Sequence, residues 1–189
     1  MPSWLNPFDI LIAFALIGGV IWGFTHGLVR MALAIAVLYL SVVLAMSFYV
    51  QVGKWIIYLS EGGIPQGAAE LSAFLFILIL TATVVNLVLN RAFRDTELPA
   101  IRQIDQLGGL VLGFVLIAIW IGVVLAGLVF ILNTPGVGSD AFRSSILGYL
   151  RSSLLVPIFS DVWPIMLVTL RPWMPKGQLP EIFAGFGLL

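Results

Sequence analysis

Four long apolar stretches constrain this 189-residue chain more than any other feature of its sequence. They run from about residues 8 to 24, 28 to 50, 68 to 89 and 107 to 132, and the last contains no charged residue. A helix that crosses the hydrocarbon core of a bilayer, which is about 30 Å thick, needs about 20 mostly apolar residues. The sequence therefore predicts an all-α, polytopic membrane protein whose four transmembrane helices form one domain, residues 1–132.

Residues 133–189 form a second, more polar segment. From Asp140 to Leu155 apolar residues recur at helical spacing, with Arg143 and Arg151 on other faces, which predicts an amphipathic helix on the membrane surface. Residues 157–172 are apolar but contain Asp161 and Pro164, so we expect an interfacial or re-entrant helix rather than a fifth crossing. Three aromatic side chains of this segment are expected at headgroup level: Trp163, Trp173 and Phe183.

The connections between the apolar stretches predict topology and orientation. Only Thr25, His26 and Gly27 separate the first two stretches, so these must form a tight antiparallel hairpin. Residues 52–67 are expected to include a short segment lying in the interface. One face collects the arginines of the short loops, which the positive-inside rule places in the cytoplasm, with both termini outside; they are Arg30, Arg91, Arg94 and Arg102.

Composition excludes several functional classes. Nine basic and nine acidic residues give no net charge, which argues against nucleic acid as a partner. The absence of cysteine excludes thiolate metal sites, and the single histidine, His26, excludes a His-rich one. We therefore predict no metal site, no cofactor and no enzymatic activity. His26 could act as one axial ligand of a haem or pigment, although a lone histidine in a turn is more often structural.

Small residues recur at every fourth position on two of the predicted helices. Such spacing forms a flat surface that lets two helix backbones approach closely. These surfaces could pack internally or dock another subunit, and we favour internal packing. The candidate helix-packing residues are Gly19, Gly23, Gly27, Gly109, Gly113 and Gly122.

Two aspartates begin transmembrane stretches. Asp9 and Asp105 are predicted to cap their helices, since a carboxylate at a helix N-terminus accepts from free N–H groups and meets the positive end of the helix dipole. They lie on opposite faces of the membrane and cannot share a site. On one of those faces Asp105 could form a polar network with three basic side chains, His26, Arg30 and Arg91. This group could pin the hairpins together, bind an anionic headgroup or act as a gate, or the charges could simply anchor helix ends.

Two segments resemble the colicin V production protein (CvpA) family. Asp9, an apolar run and then Gly-Phe-Thr-His-Gly-Leu-Val-Arg at 23–30 are similar to the family's first helix and hairpin. Asp-Gln-Leu-Gly-Gly-Leu-Val-Leu-Gly at 105–113 is similar to the start of its last helix. The resemblance implies a bacterial inner-membrane protein linked to colicin V production and export and to envelope maintenance, without an established catalytic activity.

These observations lead us to expect a non-catalytic protein that supports secretion or envelope function. Its expected partners are the lipid bilayer and other membrane subunits, or a second copy of itself. One alternative is an accessory subunit of a large respiratory or photosynthetic complex. A second alternative, a small channel or carrier, would need polar groups along the helices, of which Asn86 and Asn90 are the main candidates.

Overall fold

The computed structural model of the chain describes residues 6–92, 102–135, 139–170, 172 and 183. These residues form helices and connections and contain no strand, as the all-α prediction requires. Three helices are long and apolar enough to cross a membrane, namely α1, α2 and α3. The five helices are α1 (Pro7–Leu59), α2 (Gln66–Ala92), α3 (Arg102–Asn133), α4 (Asp140–Arg151) and α5 (Val156–Leu170).

Helix α1 contains two membrane crossings. Its 53 residues would extend about 80 Å if straight, more than twice the thickness of the hydrocarbon core. Gly27, with φ 79° and ψ 170°, leaves the helical conformation and divides α1 into a first arm, residues 7–26, and a second arm, residues 28–59. Together with α2 and α3, the two arms account for the four predicted crossings.

The contacts of the two arms with α3 show that the chain reverses at Gly27. In the first arm, Gly23 lies against Gly109 and Gly19 lies against Gly113, so this arm runs antiparallel to α3. In the second arm, Leu28 contacts Gly108, and residues 35–42 border the same cavity as residues 114–123 of α3. The second arm therefore runs parallel to α3, and the loop predicted at residues 25–27 is reduced to one non-helical residue.

The second arm is longer than predicted. It continues as helix to Leu59 rather than ending near Val50, so residues 52–59 do not form a segment separate from the second arm. Gly53 explains the difference, because a Cβ there would lie only 3.2 Å from the Glu70 Cα. This close approach lets the extended second arm pack on α2 before the chain turns at residues 60–65.

Helix α2 packs against the second arm and scarcely touches α3. Tyr49 contacts the ring of Phe74, and with the Gly53–Glu70 contact this fixes an antiparallel register between the second arm and α2. The later half of α2 carries a set of exposed apolar side chains, Ile79, Leu80, Val84, Leu87 and Val88. This helix therefore forms the edge of the bundle.

The C-terminal segment bends rather than continuing as one surface helix. Helix α4 ends at Arg151, and α5 leaves it at an angle of 81°. Trp163 of α5 is only 3% exposed and Phe183 only 2%, so both side chains are packed against other parts of the protein. Trp163 lies over Gly122 of α3, whose lack of a side chain makes room for the indole. Arg94 and Trp173, which entered the predictions above, lie outside the described residues.

Candidate functional site

The turn at Gly27 is held by close contact with the first turn of α3. A residue with φ of 79° is in the region that favours glycine, because a Cβ there strains the backbone. A Cβ on Gly27 would also overlap the Asp105 Oδ2 and lie 2.8 Å from the Asp105 Cγ. Glycine is therefore required at this position both by conformation and by space.

Asp105 supplies the cap for the second arm. The Leu28 N–H donates to the Asp105 Oδ1 at 2.9 Å. Leu28 is the first residue of the second arm, where backbone N–H groups have no helical acceptor and the helix dipole is positive. The carboxylate predicted to cap α3 thus reaches across to another helix and fixes the turn between the two arms.

Glycines keep the first arm against α3 next to this turn. A Cβ on Gly23 would overlap the Gly109 carbonyl oxygen and lie 2.8 Å from the Gly113 Cα. A Cβ on Gly109 would overlap the Gly23 carbonyl oxygen in return, and one on Gly113 would overlap that of Gly19. The atoms in the way belong to the backbone and cannot rotate aside. These glycines therefore pack inside the bundle, between the first arm and α3.

A second polar contact lies at the other end of the first arm. Asn6, rather than Asp9, caps this arm, since its Oδ1 accepts from the Phe8 N–H at 2.9 Å. Asp9 instead binds the turn between α4 and α5. Its Oδ1 accepts from the Ser153 hydroxyl at 2.5 Å and from the Leu155 N–H at 3.0 Å.

Asn6 makes a second set of contacts with the C-terminal segment at the start of the first arm. Its Nδ2 donates to the Tyr149 carbonyl oxygen at 2.6 Å and to the Ser152 Oγ at 3.1 Å. Side chains from the first turn of α1 therefore bind residues almost 150 positions later in the chain. About 18 helical steps separate Asp9 from Gly27, or about 27 Å, which is close to the thickness of the hydrocarbon core.

A family model described as Colicin V production protein matches residues 8–164. The chain belongs to the colicin V production protein family. No protein of curated function and no solved structure matches the chain. The matched range begins beside Asp9 and ends in α5, so it includes both ends of the first arm and the α4–α5 turn that Asp9 binds.

The two segments that resemble the colicin V production family meet in the structure. Residues 23–30 contain the turn at Gly27. Residues 105–113 contain Asp105, which contacts this turn, and Gly109 and Gly113, which contact the first arm. The short motifs thus belong to one contact between the helical hairpin and α3.

The other candidates of the predicted polar network lie near the ends of helical segments. His26 is exposed, and its Nδ1 lies 2.9 Å from the Trp22 carbonyl oxygen and 3.1 Å from the Thr25 Oγ1. Arg30 and Arg91 are also exposed, at the start of the second arm and the end of α2. Within the described part of the chain, no group of three His, Asp or Glu residues is placed to hold a metal ion.

Sequence reasoning missed the roles of Asn6 and Ser153. Asn6 stands directly before Pro7, and an asparagine followed by proline at the first helical position is a known signal for a helix start. That signal identifies Asn6 as the cap. Ser153 gives no comparable signal, because its bond to Asp9 depends on how α4 and α5 fold back over the first arm.

Proposed function

We propose that this protein is a non-catalytic component of the bacterial inner membrane that supports secretion or envelope function by packing against partner membrane proteins or a second copy of itself. Membership of the colicin V production family supports a membrane protein involved in that process. The observation that carries the proposal of a partner is the position of Asn86 on α2.

Asn86 is exposed on the outer side of α2, at mid-depth in the bundle. The contacts Gly53–Glu70 and Tyr49–Phe74 set a register in which Asn86 is level with Val37 of the second arm. Val37 is about 15 Å beyond Gly27, which corresponds to half of the hydrocarbon thickness of about 30 Å. The Asn86 amide makes no hydrogen bond with any residue of the described ranges.

An amide exposed at this depth favours contact with another membrane helix. Lipid chains offer it neither donor nor acceptor, so its transfer from water carries an uncompensated cost. A hydrogen bond to a neighbouring transmembrane helix removes that cost and contributes about 0.6–2 kcal/mol to helix association. Asn86 faces away from the other described helices, so it gives no support to the channel alternative.

The test compares two substitutions on α2 in the full-length, affinity-tagged protein. Asn86→Leu removes the amide, and we expect recovery of the native partner in mild detergent to fall about 3- to 30-fold. Ser72→Val is the matched control. Ser72 is exposed on α2, but its hydroxyl already donates to the Ala69 carbonyl oxygen at 2.8 Å. Equal recovery with both variants, or a wild-type protein that is purified alone as a monomer, would contradict the proposal.

The proposal also places both termini on the outer side of the membrane. The chain contains no cysteine, so single cysteines report orientation directly. Thr25→Cys lies at the hairpin end and Ser144→Cys on α4, and both positions are exposed. A membrane-impermeant maleimide added to intact spheroplasts is expected to label position 144 and spare position 25. The reverse labelling pattern would show the opposite orientation, with both termini in the cytoplasm.

A further inference from the structure

A cavity of about 650 Å³ lies between the second arm, α3 and α5. Its walls are almost entirely apolar side chains from the three helices. They include Ile35, Val42, Phe114, Val123, Ile158 and Trp163. Apolar cavities of this kind are not filled by water, because ordered water needs several polar partners. Within a membrane, such a space is suited to hydrocarbon.

Two polar groups at the cavity bind each other. The Tyr39 hydroxyl donates to the Thr169 carbonyl oxygen at 2.8 Å, which joins the second arm to the end of α5. This bond satisfies a carbonyl near the C-terminus of α5, where helical carbonyls lose their partners. The cavity therefore presents an almost entirely apolar wall.

The cavity is too small to enclose a transmembrane helix. A transmembrane helix of 20 residues, about 10 Å across and about 30 Å long, occupies about 2,400 Å³, several times the volume of this cavity. Ligand cavities of about 300–1,000 Å³ hold single small molecules or chains. Along α3, the cavity extends from Phe114 to Val123, or about 14 Å, which is close to half of a hydrocarbon core of about 30 Å.

The cavity lies in one half of the membrane. Gly113 of α3 packs beside Gly19, near the middle of the first arm. From there α3 runs towards the level of Asp9, because it is antiparallel to the first arm. The segment from Phe114 to Val123 therefore lies between the middle of the membrane and the end marked by Asp9.

We propose that this cavity binds one acyl chain of a phospholipid from the leaflet on the Asp9 side. The acyl chain lies along α3 and is covered by α5. Asp9 holds α5 in place through Ser153 and Leu155. Bound in this way, the phospholipid is a stoichiometric structural component of the protein. It differs in this respect from the exchanging lipid of the surrounding bilayer. This inference is independent of the proposed partner contact.

The experiment measures lipid retained by the full-length protein after exhaustive exchange into mild detergent. Native mass spectrometry of the wild type is expected to show one phospholipid per chain. Ala118→Phe places a ring in the cavity and is expected to reduce retention at least about tenfold, since each displaced methylene loses its burial. Val115→Phe, one turn earlier on the same wall, is an independent second variant. Ala36→Phe, at an exposed position outside the cavity, is the matched control.

A photoactivatable probe locates the bound chain. Phosphatidylethanolamine carrying a diazirine in its acyl chain is expected to label residues 114–123 and 158–170, with labelling lost in Ala118→Phe. The proposal is overturned if wild type retains no lipid, if both cavity variants retain as much as Ala36→Phe while folded by circular dichroism, or if the probe labels α2 as strongly as the cavity walls.

Discussion

Replacing Gly23 by alanine tests the close backbone contact between the first arm and α3. The added Cβ would overlap the Gly109 carbonyl oxygen and lie 2.8 Å from the Gly113 Cα and 2.9 Å from the Gly109 carbonyl carbon. Carbon atoms in contact normally lie about 3.5–4.0 Å apart, so the first arm must move roughly 1 Å away from α3. Because all three obstructing atoms belong to the backbone, the strain cannot be relieved by a change of rotamer.

The expected magnitude follows from this overpacking. Inserting a methyl group into a well-packed interior typically costs about 1–3 kcal/mol, and a contact between two backbones falls at the upper end. For a chain of this size, 1 kcal/mol changes the melting temperature by about 2–4 °C. Gly23→Ala should therefore lower the melting temperature of the detergent-solubilised protein by about 4–12 °C.

Gly18→Ala provides the matched control, five positions earlier in the same arm. No heavy atom lies within 4 Å of a Cβ placed there. Because alanine favours the helix over glycine by up to about 1 kcal/mol, this variant should be as stable as the wild type or slightly more stable. The assay is the monodisperse fraction recovered by size-exclusion chromatography after heating. If both variants melt within about 1 °C of each other, the inferred contact between the first arm and α3 is refuted.

Three further predictions concern the polar and conformational anchors. Gly27→Ala is expected to destabilise the protein by about 1–3 kcal/mol, through the positive φ and the clash with Asp105, measured as thermal stability against the Gly18→Ala control. Asp105→Ala should lower the free energy of unfolding by about 0.5–2 kcal/mol, because the second arm loses its cap. Asp105→Asn keeps an acceptor oxygen and should keep most of this stability. Equal losses of stability in the two variants would contradict capping. Asp9→Ala is expected to increase proteolytic cleavage at residues 152–155, with Asp9→Asn intermediate, and unchanged cleavage would show that the carboxylate does not hold this turn.

Much of the membrane fold could be predicted from the sequence because span length depends on composition. Twenty apolar residues are enough to cross the hydrocarbon core whatever they later contact. The helix faces that pack between the first arm and α3 could also be predicted, since glycines at four-residue spacing lie on one face of a helix. Spacing alone could not pair Gly23 with Gly109, because the partner depends on the register between two helices.

Two sequence-based predictions lack the contribution of tertiary packing. Trp163 and Phe183 are expected at headgroup level because amphipathic aromatic side chains favour that position, but their burial depends on packing that this preference does not describe. Gly122 leaves space on α3 for the Trp163 ring, which also lies 5.4 Å from the Phe183 ring. Similarly, residues 55–59 suggest a separate interfacial segment because this apolar run lies between Lys54 and Glu61. Tertiary contact with α2 decides that they continue the second arm.

The two aspartates show why a correct residue type can be given an incomplete role. A carboxylate at the start of a helix is favoured by the local dipole, and the sequence predicts that much. In a bundle, however, the free N–H groups that most need an acceptor are those where the chain turns at the edge of the membrane, away from bulk water. Asp105 reaches such a group at Leu28, and Asp9 reaches others at the α4–α5 turn. These contacts lie about 27 Å apart along the first arm, so this arm holds one turn at each boundary of the hydrocarbon core.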